Sequence, residues 1–121
     1  MVKRVSGNYL RTYRKRSGIS QQEIARLLGY KDQWQVSRHE RSRTSPKLFI
    51  ALAYTKIFRV SVSVLFTALD GLADQMVEEN LAVFERDLRS RKPAGRPSMA
   101  HKRKIKWLDD RKQSKETAHL S

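Results

Sequence analysis

The 121-residue sequence contains no cysteine, so disulfide frameworks, thiolate-ligated zinc and thiol nucleophiles are all excluded, and nothing points to an oxidising compartment. No apolar run approaches the roughly 18 residues of a membrane span, and the opening stretch MVKRVSGNYL lacks an apolar signal-peptide core. The expectation is a cytosolic chain. Histidine is scarce as well: His39, His101 and His119 lie in unrelated segments without ligand spacing, which supports neither a metal site nor general-base chemistry. Glycine-rich phosphate loops and nucleophile motifs are missing too, so neither an enzyme nor a cofactor is expected. Acidic residues are the last shortage. Lys and Arg number 26 against 12 Asp and Glu, a formal net charge of +14, and such an imbalance favours a polyanionic partner.

The charge is unevenly distributed. Residues 1–70 hold 14 basic and 4 acidic side chains, residues 71–91 hold 3 and 5, and residues 92–121 hold 9 and 3. Two basic blocks therefore flank a mildly acidic segment. The length suits one modest domain with appendages, and the expected divisions are residues 1–69, 70–91 and 92–121.

Within the first block, residues 20–40, SQQEIARLLGYKDQWQVSRHE, predict two short helices joined by a tight turn. Ser20 with Glu23 three places later is a capping box, and Ile24, Ala25 and Leu28 mark one buried face. Gly29 supplies the left-handed backbone that ends many helices, and Asp32 can cap a second helix from about Gln33 to His39. In that helix only Val36 is plainly apolar in the middle turns, which leaves Gln33, Trp34, Gln35, Ser37 and Arg38 facing outward. Glutamine, serine and arginine have donors and acceptors that match base edges in a major groove. The plain alternative is a solvated helix face.

Around this pair the expected elements are all helical. Residues 8–16 form a first helix capped by Asn8 or Ser6, with Leu10 and Tyr13 inward and Arg11, Arg14, Lys15 and Arg16 outward, stopped at Ser17-Gly18. After a polar loop through Pro46, a fourth helix carries Leu48, Ala51, Leu52, Thr55 and Phe58 on its inner face. Ser61 or Ser63 then caps a short fifth helix holding Val64, Leu65 and Phe66; the alternation through residues 60–64 also fits a strand, although a lone strand has no partner. The core is expected at Leu10, Ile24, Leu28, Val36, Leu52, Phe58 and Leu65.

These positions in register carry a family resemblance. Arg14, the run Gly18-Ile19-Ser20-Gln21-Gln22-Glu23-Ile24-Ala25, Leu28-Gly29, Val36-Ser37-Arg38, Glu40, Pro46, Leu48, Phe58, Val60-Ser61 and Leu65-Phe66 make residues 9–66 resemble the Cro/lambda-repressor type helix-turn-helix domain, or XRE family. The resemblance implies a compact five-helix DNA-binding domain. It implies that Gln33, Trp34, Ser37 and Arg38 stand where bases are read, and that Gln21 stands where a side chain grips phosphate. Gln22, Arg41 and Arg43 are further candidates for phosphate contact, which fixes register without reading sequence. Three departures mark this chain. Ser42 stands where glycine is usual, which allows the loop another backbone path; one extra residue lies between Gly29 and Val36; and His39 stands at a usually aliphatic position. Glu40, an acid near a polyanion, is expected to pair with Arg14.

Beyond this domain, residues 72–91 predict an amphipathic helix whose Val77, Leu81, Phe84 and Leu88 form a heptad-like seam, suited to a homodimer interface or a partner protein. Pro93 and Pro97 break any helix, and residues 92–121 are expected as a flexible basic arm with at most a short helix at residues 105–111. Gly95-Arg96-Pro97, with Lys92 before it and Lys102, Arg103 and Lys104 after, resembles an AT-hook core that enters a minor groove. It lacks the arginine usual before the glycine, and a solvated linker is the plain reading. The combined expectation is a double-stranded DNA-binding regulator of prokaryotic or phage type, cytoplasmic and nucleoid-associated, a repressor at an inverted repeat. An antitoxin with a protein partner and an RNA-binding protein are the alternatives.

Overall fold

The computed structural model describes residues 7–91 and 95–120, with side chains described up to residue 115. Ser6, Lys92, Pro93, Ala94 and the His119 side chain lie outside the described residues. Seven helices follow one another: α1 (Leu10–Ser17), α2 (Gln21–Leu28), α3 (Trp34–Glu40), α4 (Leu48–Phe58), α5 (Val62–Leu65), α6 (Thr67–Ser90) and α7 (Met99–Leu120). They divide into two compact units, Met1–Gln75 and Met76–Ser121, and α6 runs from one into the other.

Local chemistry sets the helix ends in the first unit. Ahead of α1, whose N-cap is Tyr9, Asn8 Oδ1 accepts from Leu10 N at 3.2 Å. Ser20 and Glu23 close the capping box of α2, with Glu23 N donating to Ser20 Oγ and Ser20 N donating to Glu23 Oε1. Those same bonds hold the Glu23 carboxyl below its usual pKa. Gly29 ends α2 at φ 85°, a conformation that costs a residue with a Cβ roughly 1–2 kcal/mol. Asp32 Oδ1 accepts from Trp34 N at 3.0 Å and starts α3, and Ser61 caps α5.

Leu10, Ile24, Ala25, Val36, Ala51, Tyr54, Leu65 and Phe66 form the core, with Tyr13, Ile19, Leu28, Ile57 and Phe58 packed around it. Burying each larger side chain contributes about 1.5–3 kcal/mol. Two expected inward positions are corrected: Leu48 and Leu52 are exposed, and α4 buries Tyr54 beside the expected Ala51. The sequence LFIALAYTKIF is apolar nearly all round, so its spacing fits two faces, and the aromatic face won because Tyr54 stacks on Phe58 and meets Phe66 edge-on.

In the second unit, α7 replaces the flexible arm. Twenty-two residues are helical where the sequence predicts at most a short helix. Ser98 Oγ caps this helix by accepting from His101 N at 3.1 Å. Leu88 and Leu108 are both buried, and ion pairs tie α6 to α7: Glu78 with Arg111 and Lys115, Glu85 with Lys112, and Asp109 with Arg89. The carboxyls of Glu78 and Glu85 are held below their usual range by these cations. Within a helical hairpin, acids of the mildly acidic segment are thus paired with part of the basic block beyond it, which keeps an excess of cations. Of the expected heptad seam, Leu88 is buried and Leu81 half-buried inside this hairpin, whereas Val77 and Phe84 are exposed.

Candidate nucleic-acid interface

α3 packs against both α1 and α2, and a polar network fixes it there. Arg14 grips Glu40 with two bonds, Nε to Oε2 at 2.6 Å and Nη2 to Oε1 at 3.1 Å. Its Nη1 donates to Ile19 O at 3.2 Å, and Gln21 Nε2 donates to Glu40 Oε1 at 3.0 Å. The Arg14 and Glu40 side chains are 12% and 4% exposed. The pair is therefore desolvated and fully engaged, joining the first three helices, as expected for Glu40 and contrary to the outward placement of Arg14.

Two further interactions hold the far side and end of α3. His39 is buried, with Nδ1 sharing a hydrogen bond with the Tyr54 hydroxyl at 2.9 Å. Burial lowers the imidazole pKa and raises that of the phenol, so both groups are kept neutral. At the C-terminus, Arg43 N donates to Arg38 O and Ser42 N to His39 O, a Schellman closure that requires a left-handed residue. Ser42 adopts it, at φ 56°. The serine thus follows the glycine-like path rather than a different one, and Asn8 secures it by donating to Ser42 Oγ at 3.1 Å and to His39 O at 2.7 Å.

With its inner face clamped, α3 turns the rest outward. Gln33, Trp34, Gln35 and Arg38 are exposed, as are Gln22, Arg41 and Arg43 nearby. Trp34 is 68% exposed and does not fold back on the domain. One expectation is corrected. Ser37 is only 9% exposed rather than outward-facing, because a helix wedged between two neighbours buries a broad arc that takes in Val36, Ser37 and His39. Gln21 is half-buried and donates one of its two amide N–H groups to Glu40, which ties it to the Arg14 network.

The second unit contributes separately. Arg96, Lys102, Arg103 and Lys104 are all exposed; the last three lie on the first turns of α7, so they sit on a helix instead of a flexible arm. Asn8 and Tyr54, which position α3, carry no sequence signal for that role. Their partners are 31 and 15 residues away, and no local pattern reports such a pairing.

A short second helix held at three points, with its amide and guanidinium side chains turned to solvent, is the geometry of a groove-reading helix. The helix-turn-helix family model matches residues 10–65. Those residues belong to the Cro/lambda-repressor type of helix-turn-helix domain. Neither a curated protein nor a solved structure matches the chain significantly. The helix-turn-helix family is one of DNA-binding regulators, not enzymes. Among the described residues, no helix is long and apolar enough to cross a membrane.

Proposed function

We propose that the chain is a sequence-specific double-stranded DNA-binding regulator of prokaryotic or phage type, acting as a homodimeric repressor at an inverted-repeat operator in the cytoplasm. The observation that carries this reading is the exposed set Gln33, Trp34, Gln35 and Arg38 on a helix whose opposite side is locked by Arg14, Glu40 and the His39–Tyr54 pair. Arginine can hold guanine in a bidentate pair and glutamine can do so with adenine, each worth about 1–3 kcal/mol of discrimination. Arg41 and Arg43 suit phosphates beside the groove. A dimer would present two such helices about 34 Å apart, one turn of duplex. Cationic Arg96, Lys102, Arg103 and Lys104 would add affinity that is independent of sequence and falls with salt.

On the second-unit part of α6, Met76, Val77, Val83 and Phe84 are exposed, and such a stripe suits a second copy of the chain. It equally favours the second reading, an antitoxin-like protein whose α6 binds a different partner. Light scattering of the purified chain separates the two: a dimeric mass supports self-association, whereas a monomer that captures the product of a neighbouring reading frame supports the partner.

The decisive experiment is selection of bound fragments from a random duplex pool at two salt concentrations, with Arg38→Ala alongside. A palindromic consensus that decays in the variant is expected. Equal retention of all duplexes, or preference for single-stranded RNA loops, overturns the proposal.

A further inference from the structure

Trp34 is the least expected residue on α3. Large apolar side chains are normally drawn inward, yet this indole is 68% exposed, and among the described residues no aromatic or cationic group stacks on it. It is not a loosely placed residue either. Its backbone N–H is held by Asp32 Oδ1 at 3.0 Å in the first turn of the helix, so the indole starts from a fixed point.

Helical geometry says where it aims. At about 3.6 residues per turn, Trp34 and Arg38 lie one above the other, and Val36 and His39 point away from them. Val36 and His39 are buried, which makes the Trp34–Arg38 line the middle of the outward side, with Gln35 on its flank. If α3 enters a major groove by that side, a side chain on the flank meets phosphate and sugar, whereas one on the central line meets base edges. The N-terminal turn is also the part of a recognition helix that goes deepest. An indole there offers a flat carbon surface and one N–H. In the major groove the carbon surface it can match is the C5-methyl of thymine, the apolar feature that base pairs display there.

Building on the DNA-binding reading above, we propose that Trp34 is a specificity-determining residue that reads a thymine C5-methyl group in each half-site. The rise from residue 34 to residue 38 is about 6 Å, and successive base pairs are about 3.4 Å apart. The thymine therefore lies about two base pairs from the guanine held by Arg38.

Deoxyuridine tests this directly, because it differs from thymidine by the methyl group alone. Using the full chain and the site it selects from a random duplex pool, each thymine in turn is replaced by deoxyuridine and binding is measured for wild type and Trp34→Ala. At one thymine per half-site, about two positions from the Arg38-dependent guanine, wild type should lose about fourfold in affinity, the value of one buried methyl. Trp34→Ala should bind the thymine and uridine duplexes equally. Because Trp34 is exposed, the variant is expected to keep the wild-type circular dichroism spectrum and melting temperature; a variant that has lost its fold is replaced by Trp34→Gln, which must show the same indifference. A selected site that tolerates uridine everywhere in wild type overturns this inference while leaving the DNA-binding reading intact, as does a uridine effect that persists in the variants. A chain that selects no duplex sequence overturns both.

Discussion

Removing Glu40 should destabilise the first unit far more than it changes sequence preference. Glu40 accepts two bonds from Arg14 and one from Gln21, and with side chains 12% and 4% exposed the pair lies largely out of water. Glu40→Ala would leave the Arg14 guanidinium in that desolvated place with only the Ile19 carbonyl as acceptor. Breaking a buried pair from one side costs about 3–5 kcal/mol. Domains of this size are stable by about 5–15 kcal/mol, and each kcal/mol moves the midpoint by about 4–8 °C, so a fall of at least about 12 °C is expected. The double variant Arg14→Met/Glu40→Leu should recover much of the loss, because no charge is then left stranded. Urea unfolding of Glu40→Ala, of Arg14→Met and Glu40→Leu singly, and of the double variant, followed by circular dichroism, gives the cost and the coupling energy. A Glu40→Ala cost below about 1 kcal/mol, or a double variant no better than the sum of the singles, refutes the buried-pair reasoning. A change in the selected DNA consensus at unchanged stability refutes it equally.

The other predictions rest on single features. Arg59 ends α4 at φ 56° with an exposed side chain, so Arg59→Gly should raise stability by about 0.5–1 kcal/mol, the left-handed strain exceeding the added freedom of the unfolded chain; chemical denaturation checks it. Burial lowers the folded-state pKa of His39 below the ordinary histidine value of 6.5. The unfolded chain therefore binds the proton more readily, and this contribution is complete above pH 6.5 and is lost as pH falls from there through the lower folded value. Melting midpoints should fall between about pH 7.5 and about pH 5, and His39→Phe should flatten that part of the profile. Replacing Lys102, Arg103 and Lys104 with alanine should weaken binding to all duplexes alike and reduce the salt slope by about 0.9 for each phosphate no longer neutralised. Binding titrations over a range of salt concentrations measure this, and an altered sequence preference would contradict it.

How far the fold could be read from sequence depended on whether the relevant signal was local. The capping box at Ser20 and Glu23, the stop at Gly29, the bond from Trp34 N to Asp32 and the Ser61 cap all act within about three residues, and each pattern was legible, although the N-cap of α3 is Gln33 and not Asp32. The face that a helix buries is less local. In α4 the apolar residues surround the axis, so the placement of Leu48 and Leu52 turned on which aromatic partners lay opposite. In α7 the run of cations reads as a solvated arm until the acids of α6 are brought beside it. Ser37 and Gln21 look like free binding residues in a linear reading, yet one is covered by neighbouring helices and the other is engaged by an acid 19 residues away.

For the binding surface itself, sequence alone determined that a short helix would follow a tight turn and carry Gln33, Trp34, Gln35 and Arg38. Spacing and caps are properties of neighbouring residues, and they survive in any fold that keeps the helix. Tertiary structure decided which of those side chains remain available. It buried Ser37, engaged one Gln21 N–H with Glu40, and exposed Trp34. It also recruited Asn8, Arg14 and Tyr54 to hold the helix from behind. Exposure and pairing depend on what the chain brings back from a distance, and that is fixed only when the core closes.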